Sequence, residues 1–339
     1  MTSLLKEGSL ARLNLTCALT ANDRTRALRD GTVKPDAIDV EITTLDPGEM
    51  FFRQLKHAEF DVSEMSIATL MIATSQGPTD WVAFPVFTMR RFFHANLMVN
   101  VHSGIEKIGD LAGKRLGIPE FQQTAAVWAR GILRDEFGFD SRESEWYMER
   151  SLELSHGAAT GFTPPPGYRV RHVPQETDLS TMLVNGEVDA ILHWAPNKNI
   201  VDRTAIDPMT SPNVKRFFDV VGESRRYYAK TGMFPINHCV VVRRSIVERH
   251  PWVVLNLFNW FLAGKNKDAE QRDALLDPYF TAGVLDRGIK PAVETDVMPY
   301  GVTRSRAVLE TISRYLAEDG LTPRRVGLEE IFHKSTLDL

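Results

Sequence analysis

The sequence predicts an α/β protein of two lobes. Three observations predict it. The chain has 339 residues, too many for one ordinary core and enough for two. Short alternating apolar runs take turns with stretches of helical periodicity, the pattern of parallel sheets with crossover helices. Polar loops repeatedly follow the predicted strands, and the carboxyl ends of parallel strands are the usual ligand edge.

Leu13–Leu19 alternates and reads as a strand, followed by a helix from Asp23 to Arg29 with Asn22 or Asp23 as N-cap. Ile38–Leu45 is the second strand and Glu49–Lys56 a helix. Phe60–Ser66 is a short strand and Ile67–Ser75 a helix. Trp81–Phe87 and Phe92–Val101 are strands. Ile105–Leu111 is a short helix and Arg115–Ile118 a strand. The loop Pro119–Gln123 leads into a helix over Thr124–Phe137, with apolar positions at Ala125, Val127, Trp128, Ile132, Leu133 and Phe137. Gly157–Gly167 is a Gly/Pro-rich surface excursion. Val170–Val173 is a strand, and Leu179–Asn185 a helix stopped by Gly186. Val188–Trp194 is a strand, Asn237–Arg243 a strong one, and His250–Lys265 and Thr303–Asp319 are helices. The division is residues 1–95 for the first part of lobe 1, 96–238 for lobe 2, and 239–339 for the return to lobe 1 with the C-terminal helices.

Apolar residues make up 43% and charged residues 25%, with a net charge of −4, so no global basic field invites nucleic acid or acidic membranes. Two cysteines, Cys17 and Cys239, make no disulfide framework, though a single bond between them stays open; each sits in an apolar run and reads as a small hydrophobe. The N-terminus lacks the basic start and apolar run of a secretory signal. Trp252–Ala263 is too short and too polar to span a bilayer. The expected location is the cytoplasm. Apolar helices exposed on two lobes would allow a homo-oligomer.

The segments "KIGDLAGKRLGIPEFQQTAAVWARGIL", "LVNGEVDAILHWAPN" and "HCVVVRRSIVERHPWVVLNLFNWFLAG" resemble the type II periplasmic-binding-protein fold over nearly the whole chain, which implies two lobes joined by two crossover strands, near Phe92–Val99 and Pro235–Val242, with the ligand cleft between the lobes. Within that superfamily the sequence is similar to the 4,5-dihydroxyphthalate decarboxylase family. The stretches that carry this likeness are "ALTANDRTRALRDG", "FDVSEMSIATLM", "FPVFTMRRFFHANLMVN", "GIPEFQQTAAVWARG", "ILHWAPN" and "FPINHCVVVRR". The resemblance implies a carboxy-lyase acting on a hydroxylated aromatic dicarboxylate, with no organic cofactor. The alternative is a non-catalytic solute-binding protein for a small aromatic or heterocyclic anion, since fold alone does not give function.

Candidate site residues fall at the predicted junctions. Arg24 and Arg26 flank the start of the first helix and suit a carboxylate; the competing reading is two solvated arginines. Glu64 ends a strand and is a candidate to orient a phenol or relay a proton, or a helix-start acid. Arg90 and Arg91 precede the crossing, with His94 behind them. In a continuous strand Arg90 and His94 share a face and Arg91 takes the other; which arginine meets the cleft stays open. Glu120, Gln122, Gln123 and Thr124 form the loop entering the long helix, where N–H groups can hold an anion or the side chains can simply cap. His193 and Trp194 end a strand as an aromatic wall, or pack as structure. His238 starts the return crossing and is the second proton-donor candidate beside His94. The histidines show no HxH or HExxH spacing, which favours no metal while leaving a divalent ion open. The expected partner is therefore one small aromatic carboxylate, without nucleic acid or membrane.

Overall fold

The computed structural model describes residues 12–339. Among the described residues, eleven strands form two sheets. In chain order they are β1 (Leu13–Leu19), β2 (Ile38–Thr44), β3 (Val62–Ser66), β4 (Trp81–Arg90), β5 (Met98–Asn100), β6 (Arg115–Ile118), β7 (Glu145–Met148), β8 (Arg169–His172), β9 (Ala190–Ile191), β10 (Val214–Arg216) and β11 (Ile236–Arg243). The first sheet has the order β2-β1-β3-β11-β4 and the second β10-β5-β9-β6-β7-β8. β1 is parallel to β2 and β3, while β11 returns antiparallel between β3 and β4. In the second sheet β9, β6, β7 and β8 are parallel, and β5 runs antiparallel to both of its neighbours, β9 and β10. Two α/β lobes therefore exchange chain twice, after β4 and before β11.

The main helices are α1 (Asp23–Arg29), α2 (Pro47–His57), α3 (Ile67–Ser75), α4 (Thr124–Phe137), α5 (His156–Thr160), α6 (Leu179–Asn185), α7 (Val220–Thr231), α8 (Arg244–Arg249), α9 (Val253–Thr281), α10 (Lys290–Glu294) and α11 (Val302–Glu318). Asn22 is the N-cap of α1, closing a capping box with Thr25. Gly186 stops α6 in the left-handed region at φ 73°.

One of the core clusters runs through both lobes. Met65 and Leu70 of lobe 1, Leu116 and Trp128 of lobe 2, and Leu309 and Tyr315 of α11 belong to a single buried cluster. At Gly131 an added Cβ would lie 2.2 Å from the Tyr315 ring, so the α4–α11 approach requires glycine. The Arg130 and Asp319 side chains are fully buried and 2.9 Å apart at the same contact. Trp128 donates its indole N–H to the Ile236 carbonyl at 2.8 Å, tying α4 to β11.

Several elements depart from the sequence expectation. The predicted strand Phe92–Val101 is a 3-10 turn at His94–Asn96 followed by the three residues of β5. The turn is closed by Asn96 N–H to Phe93 O and Leu97 N–H to His94 O, and the buried partner Glu223 holds His94 in it. Face alternation therefore ends near Arg91. The predicted Val188–Trp194 strand shrinks to Ala190–Ile191. The Gly/Pro-rich excursion begins with the short helix α5. The helix expected to end at Lys265 continues to Thr281. Cys17 and Cys239 are buried and free. Among the described residues, no helix is long and apolar enough to cross a membrane.

Candidate active site between the lobes

A cavity of about 250 Å³ lies at the strand ends where the lobes meet. Lobe 1 contributes Gly48 and Phe51 of α2, Ser66 at the end of β3, Met89 and Arg91 at the end of β4, and Asn237 and His238 of β11. Lobe 2 contributes Gln123 and Thr124 at the start of α4, Arg150 after β7, His156, and the strap His193–Asn197 with Asn199 and Asp202.

Strand geometry settles Arg90 against Arg91. Arg90 sits on the far face of β4, donating to the Phe234 carbonyl at 3.2 Å, the Pro299 carbonyl at 2.7 Å and Ser305 Oγ at 2.9 Å. Met89 and Arg91 line the cavity. Among the described residues, the Arg91 guanidinium meets no carboxylate; the Arg91 backbone N–H donates to the Pro235 carbonyl at 3.0 Å.

On the lobe 1 side, Glu64 is wholly buried. Its Oε1 accepts from the Thr20 N–H and hydroxyl, both at 2.7 Å, and its Oε2 from Thr88 Oγ1 at 2.6 Å. His238 Nδ1 lies 3.0 Å from the same Oε2. β11 runs antiparallel to β3 with His238 opposite Ser66 and Val240 opposite Glu64, so His238 and Glu64 are diagonal neighbours on one face. Burial pushes the Glu64 carboxyl up, but the His238, Thr88 and Thr20 contacts outweigh it and hold it below the ordinary value. An ionised carboxylate only accepts, so Nδ1 carries hydrogen and Nε2 is left toward the cavity, 2.9 Å from Asn237 Nδ2. The Phe51 ring edge braces the imidazole, with centroids 4.8 Å apart.

On the lobe 2 side, Glu120 is equally buried. It accepts from Gln122 Nε2 at 2.9 Å, the Gly157 N–H at 3.2 Å, the Ser155 hydroxyl and Arg150 Nη1 at 3.0 Å. Arg150 also forks onto Asp202 at 2.8 and 3.1 Å. Burial raises the Glu120 carboxyl, and His156 and Arg150 overcome that to lower it. His156 is itself pushed down by burial. Glu120 and Gln122 thus stand behind the cavity wall and hold Arg150, which does line it. At Gly48 an added Cβ would lie 2.6 Å from Arg150 Nη2 and 2.7 Å from Asp202 Oδ2, so lobe 1 docks flush on this pair.

Thr124 ties the lobes across the cavity: its hydroxyl lies 2.8 Å from Ser66 Oγ and accepts the Ala68 N–H at 3.0 Å. Gln123 is the N-cap residue of α4, yet its side chain caps nothing, and its buried Nε2 has no partner. At the start of α4 the Ala126 and Val127 N–H groups donate to the Gln123 carbonyl at 3.0 and 3.1 Å, which leaves those of Thr124 and Ala125 without an intrahelical acceptor. Trp194 Nε1 is likewise buried without a partner. His193 is pushed down to about 3, first by burial and then by the Arg91 charge, so it is neutral. The cavity wall thus carries several unanswered donors: Arg91, Gln123, Trp194 and the α4 terminus. Among the described residues, no group of three or more His, Cys, Asp or Glu is gathered for a metal.

Other candidates lie elsewhere. Arg24 donates to the Thr88 carbonyl at 2.8 Å, behind the Glu64 network, and Arg26 points to Gln271 and Asp268 of α9. His94 is fully buried, 3.0 Å from Glu223 and 5.0 Å from the Tyr227 ring centroid, outside the cavity. Sequence reasoning passed over Arg150, His156 and Asp202. The signal was the stretch EWYM after α4: read as a strand, it puts Arg150 at a carboxyl end.

Comparison with known proteins now adds the chemistry of relatives. The chain is 31% identical over 340 residues to a 4,5-dihydroxyphthalate decarboxylase of Comamonas testosteroni, covering 97% of this chain and 99% of that one. It belongs to the 4,5-dihydroxyphthalate decarboxylase family. A Pseudomonas putida family member of the same name is 35% identical over 181 residues, 53% of this chain and 70% of its own. No family model matches the chain. Among solved structures, the Escherichia coli periplasmic aliphatic sulphonate binding protein SsuA superposes with a TM-score of 0.53 at 13% identity, covering 96% of this chain and 93% of that one. The desulfurization enzyme DszB does so at 0.54 and 16%, covering 95% and 96%. The chain therefore has the periplasmic-binding-protein fold, shared by a sulphonate-binding protein and a desulfurization enzyme.

Proposed function

We propose that this protein is a carboxy-lyase that removes one carboxylate from a hydroxylated benzene dicarboxylate of the 4,5-dihydroxyphthalate type, giving a 3,4-dihydroxybenzoate-type product. The observation that carries this reading is the whole-length identity to the Comamonas decarboxylase. The cavity agrees with it in size and chemistry. About 250 Å³ sits just below the range of roughly 300–1,000 Å³ usual for ligand pockets, which suits a single ring. The unanswered donors Arg91, Gln123 Nε2, Trp194 Nε1 and the α4 N-terminus suit carboxylates.

Direct loss of CO2 would strand a carbanion in the ring plane. A hydroxyl para to the departing carboxylate avoids it. His238 in its imidazolium form, with the Asn237 amide turned so that its oxygen meets Nε2, gives the Nε2 proton to the carboxylate-bearing carbon as the hydroxyl oxygen becomes a carbonyl. That oxygen is now far more acidic than a phenol, so the weakly basic His193 suffices to take its proton. The C–C bond then breaks, its electron pair restores the aromatic ring, and His193 returns the proton to oxygen. One proton is consumed, one CO2 leaves, and a C–H bond replaces a C–C bond. Glu64 acts through His238, fixing its ring and balancing the imidazolium.

The test is incubation of the purified protein with a panel of hydroxylated phthalates, with and without a chelator, following CO2 and the monocarboxylate. Turnover is expected, unchanged by chelation. Tight binding without turnover across the panel would return the protein to the solute-binding class.

A further inference from the structure

Strand β11 carries a second cavity residue beside His238. Consecutive side chains of a regular strand point to opposite faces, so Asn237 and His238 should not meet. They do: Asn237 Nδ2 lies 2.9 Å from His238 Nε2, and both residues line the cavity. The pairing of β11 with β4 shows why. Ile236 stands opposite Arg90 and His238 opposite Met89, so two steps along β11 match one along β4, and Asn237 is the extra residue of a bulge. Against β3, on the other side, the register is regular, with His238 opposite Ser66 and Cys239 opposite Met65. A bulge re-aims a side chain, and bulges gather beside active sites. This one turns an amide onto the ring nitrogen that faces the cavity.

The two nitrogens of His238 thus have unlike partners. The Glu64 carboxylate, at Nδ1, can only accept. The Asn237 amide can do either. Its NH2 donates to a bare Nε2, its oxygen accepts from a protonated one, and the two placements share one outline. Among the described residues, its only other hydrogen-bonding contact is a weak acceptor, Met89 Sδ at 3.4 Å, so a half-turn of the amide gives up little. The ionisable groups around the ring are Glu64 of β3, Arg91 of β4, Asp46 at the start of α2, His193 of the strap, and Arg150, His156 and Asp202 of the lobe 2 wall. Of these, only Glu64 stands within hydrogen-bond distance of the imidazole.

We propose that Asn237 is a positioning residue whose amide follows the proton on His238 Nε2, a role that rests on the decarboxylase reading. Its oxygen holds the imidazolium before transfer, and its NH2 holds the bare nitrogen afterwards. The Nε2–H bond breaks and the ring C–H bond forms, while the amide itself neither gains nor loses a proton. The structure shows the second of the two placements.

Two isosteres test this. Asn237→Asp offers only an acceptor, with a negative charge, and so favours the imidazolium. Asn237→Leu offers neither partner and loses chiefly the bond to the charged ring, the stronger of the two. In the pH dependence of kcat, the alkaline limb should move up by roughly one pH unit in the first and down by a similar amount in the second. Limbs that stay in place, or that move the same way, overturn the proposal. Nitrogen NMR of the substrate-free proteins reads the same ring without turnover. The His238 Nε2 resonance should titrate in the same order, and in the unmodified protein the Asn237 side-chain amide should move with it. An amide indifferent to the ring's proton overturns the proposal, even where neither variant folds. An unmodified protein whose amide follows the ring, but which binds the hydroxylated phthalates without turnover, supports the amide's role and overturns the decarboxylase reading instead.

Discussion

Glu64 and Glu120 are both fully buried carboxylates at the edge of one cavity, one in each lobe, and both are held ionised by dense donor sets. Their partners differ. Glu64 is answered by two threonines and one imidazole whose other nitrogen is turned toward the cavity. Glu120 is answered by a guanidinium that is itself clamped to Asp202, and by the His156 imidazole, whose Nδ1 lies 3.0 Å from its Oε2. The first arrangement can pass a proton, because its one charged-partner position is a titratable ring. The second shares its carboxylate between an arginine, which keeps its proton, and His156, which burial and the neighbouring Arg150 charge push toward the neutral form. Under the proposed mechanism, similar burial serves proton transfer in one lobe and the placing of Arg150 in the other.

The comparison breaks most sharply at His238. His238→Gln is expected to lower kcat by roughly 10²–10⁴-fold while leaving the melting temperature near that of the parent, as steady-state kinetics and calorimetry would show. An active His238→Gln enzyme would remove the proton-donor role. Arg150→Met should reverse the pattern. It leaves Glu120 and Asp202 buried without their cation, at a cost of about 3–5 kcal/mol in urea denaturation. A stable Arg150→Met protein with lost turnover would move Arg150 into the chemistry instead. Arg91→Ala removes a charged contact worth about 1.5–3 kcal/mol, and KM should carry more of the loss than kcat. The smallest effect is in pH. His193 binds its proton less readily folded than unfolded, so its contribution is complete above the unfolded value near 6.5 and is lost as pH falls toward about 3. Thermal melts of His193→Asn against the parent should diverge only in that window.

The elements legible in the sequence are those whose local pattern and tertiary fate agree. Arg115–Ile118 and Thr124–Phe137 fall as predicted because strand and helix periodicity point to the same core. Phe92–Val101 misleads because its apolar residues serve two lobes through a turn, and periodicity carries no information about where a chain changes sheets. The site was partly legible for the same reason. His238, Gln123, Thr124, His193, Trp194 and Arg91 stand at strand or helix ends and do line the cavity. Arg90 and Arg91 differ by one step of the pleat, which the sequence could not orient. Arg150 and Asp202 meet only through long-range folding, 52 residues apart.

The contact of Gly131 with Tyr315 has a consequence for the order of assembly. α4 presents the helix terminus that faces the cavity, but it is seated against α11, and its Arg130 pairs with a residue 189 positions later, Asp319. Strand β11 likewise enters the middle of a sheet whose other strands were synthesised long before. On the ribosome, the second lobe can therefore collapse while the cleft is still unfinished. The wall that carries the α4 terminus is seated only after α11 and Asp319 have emerged.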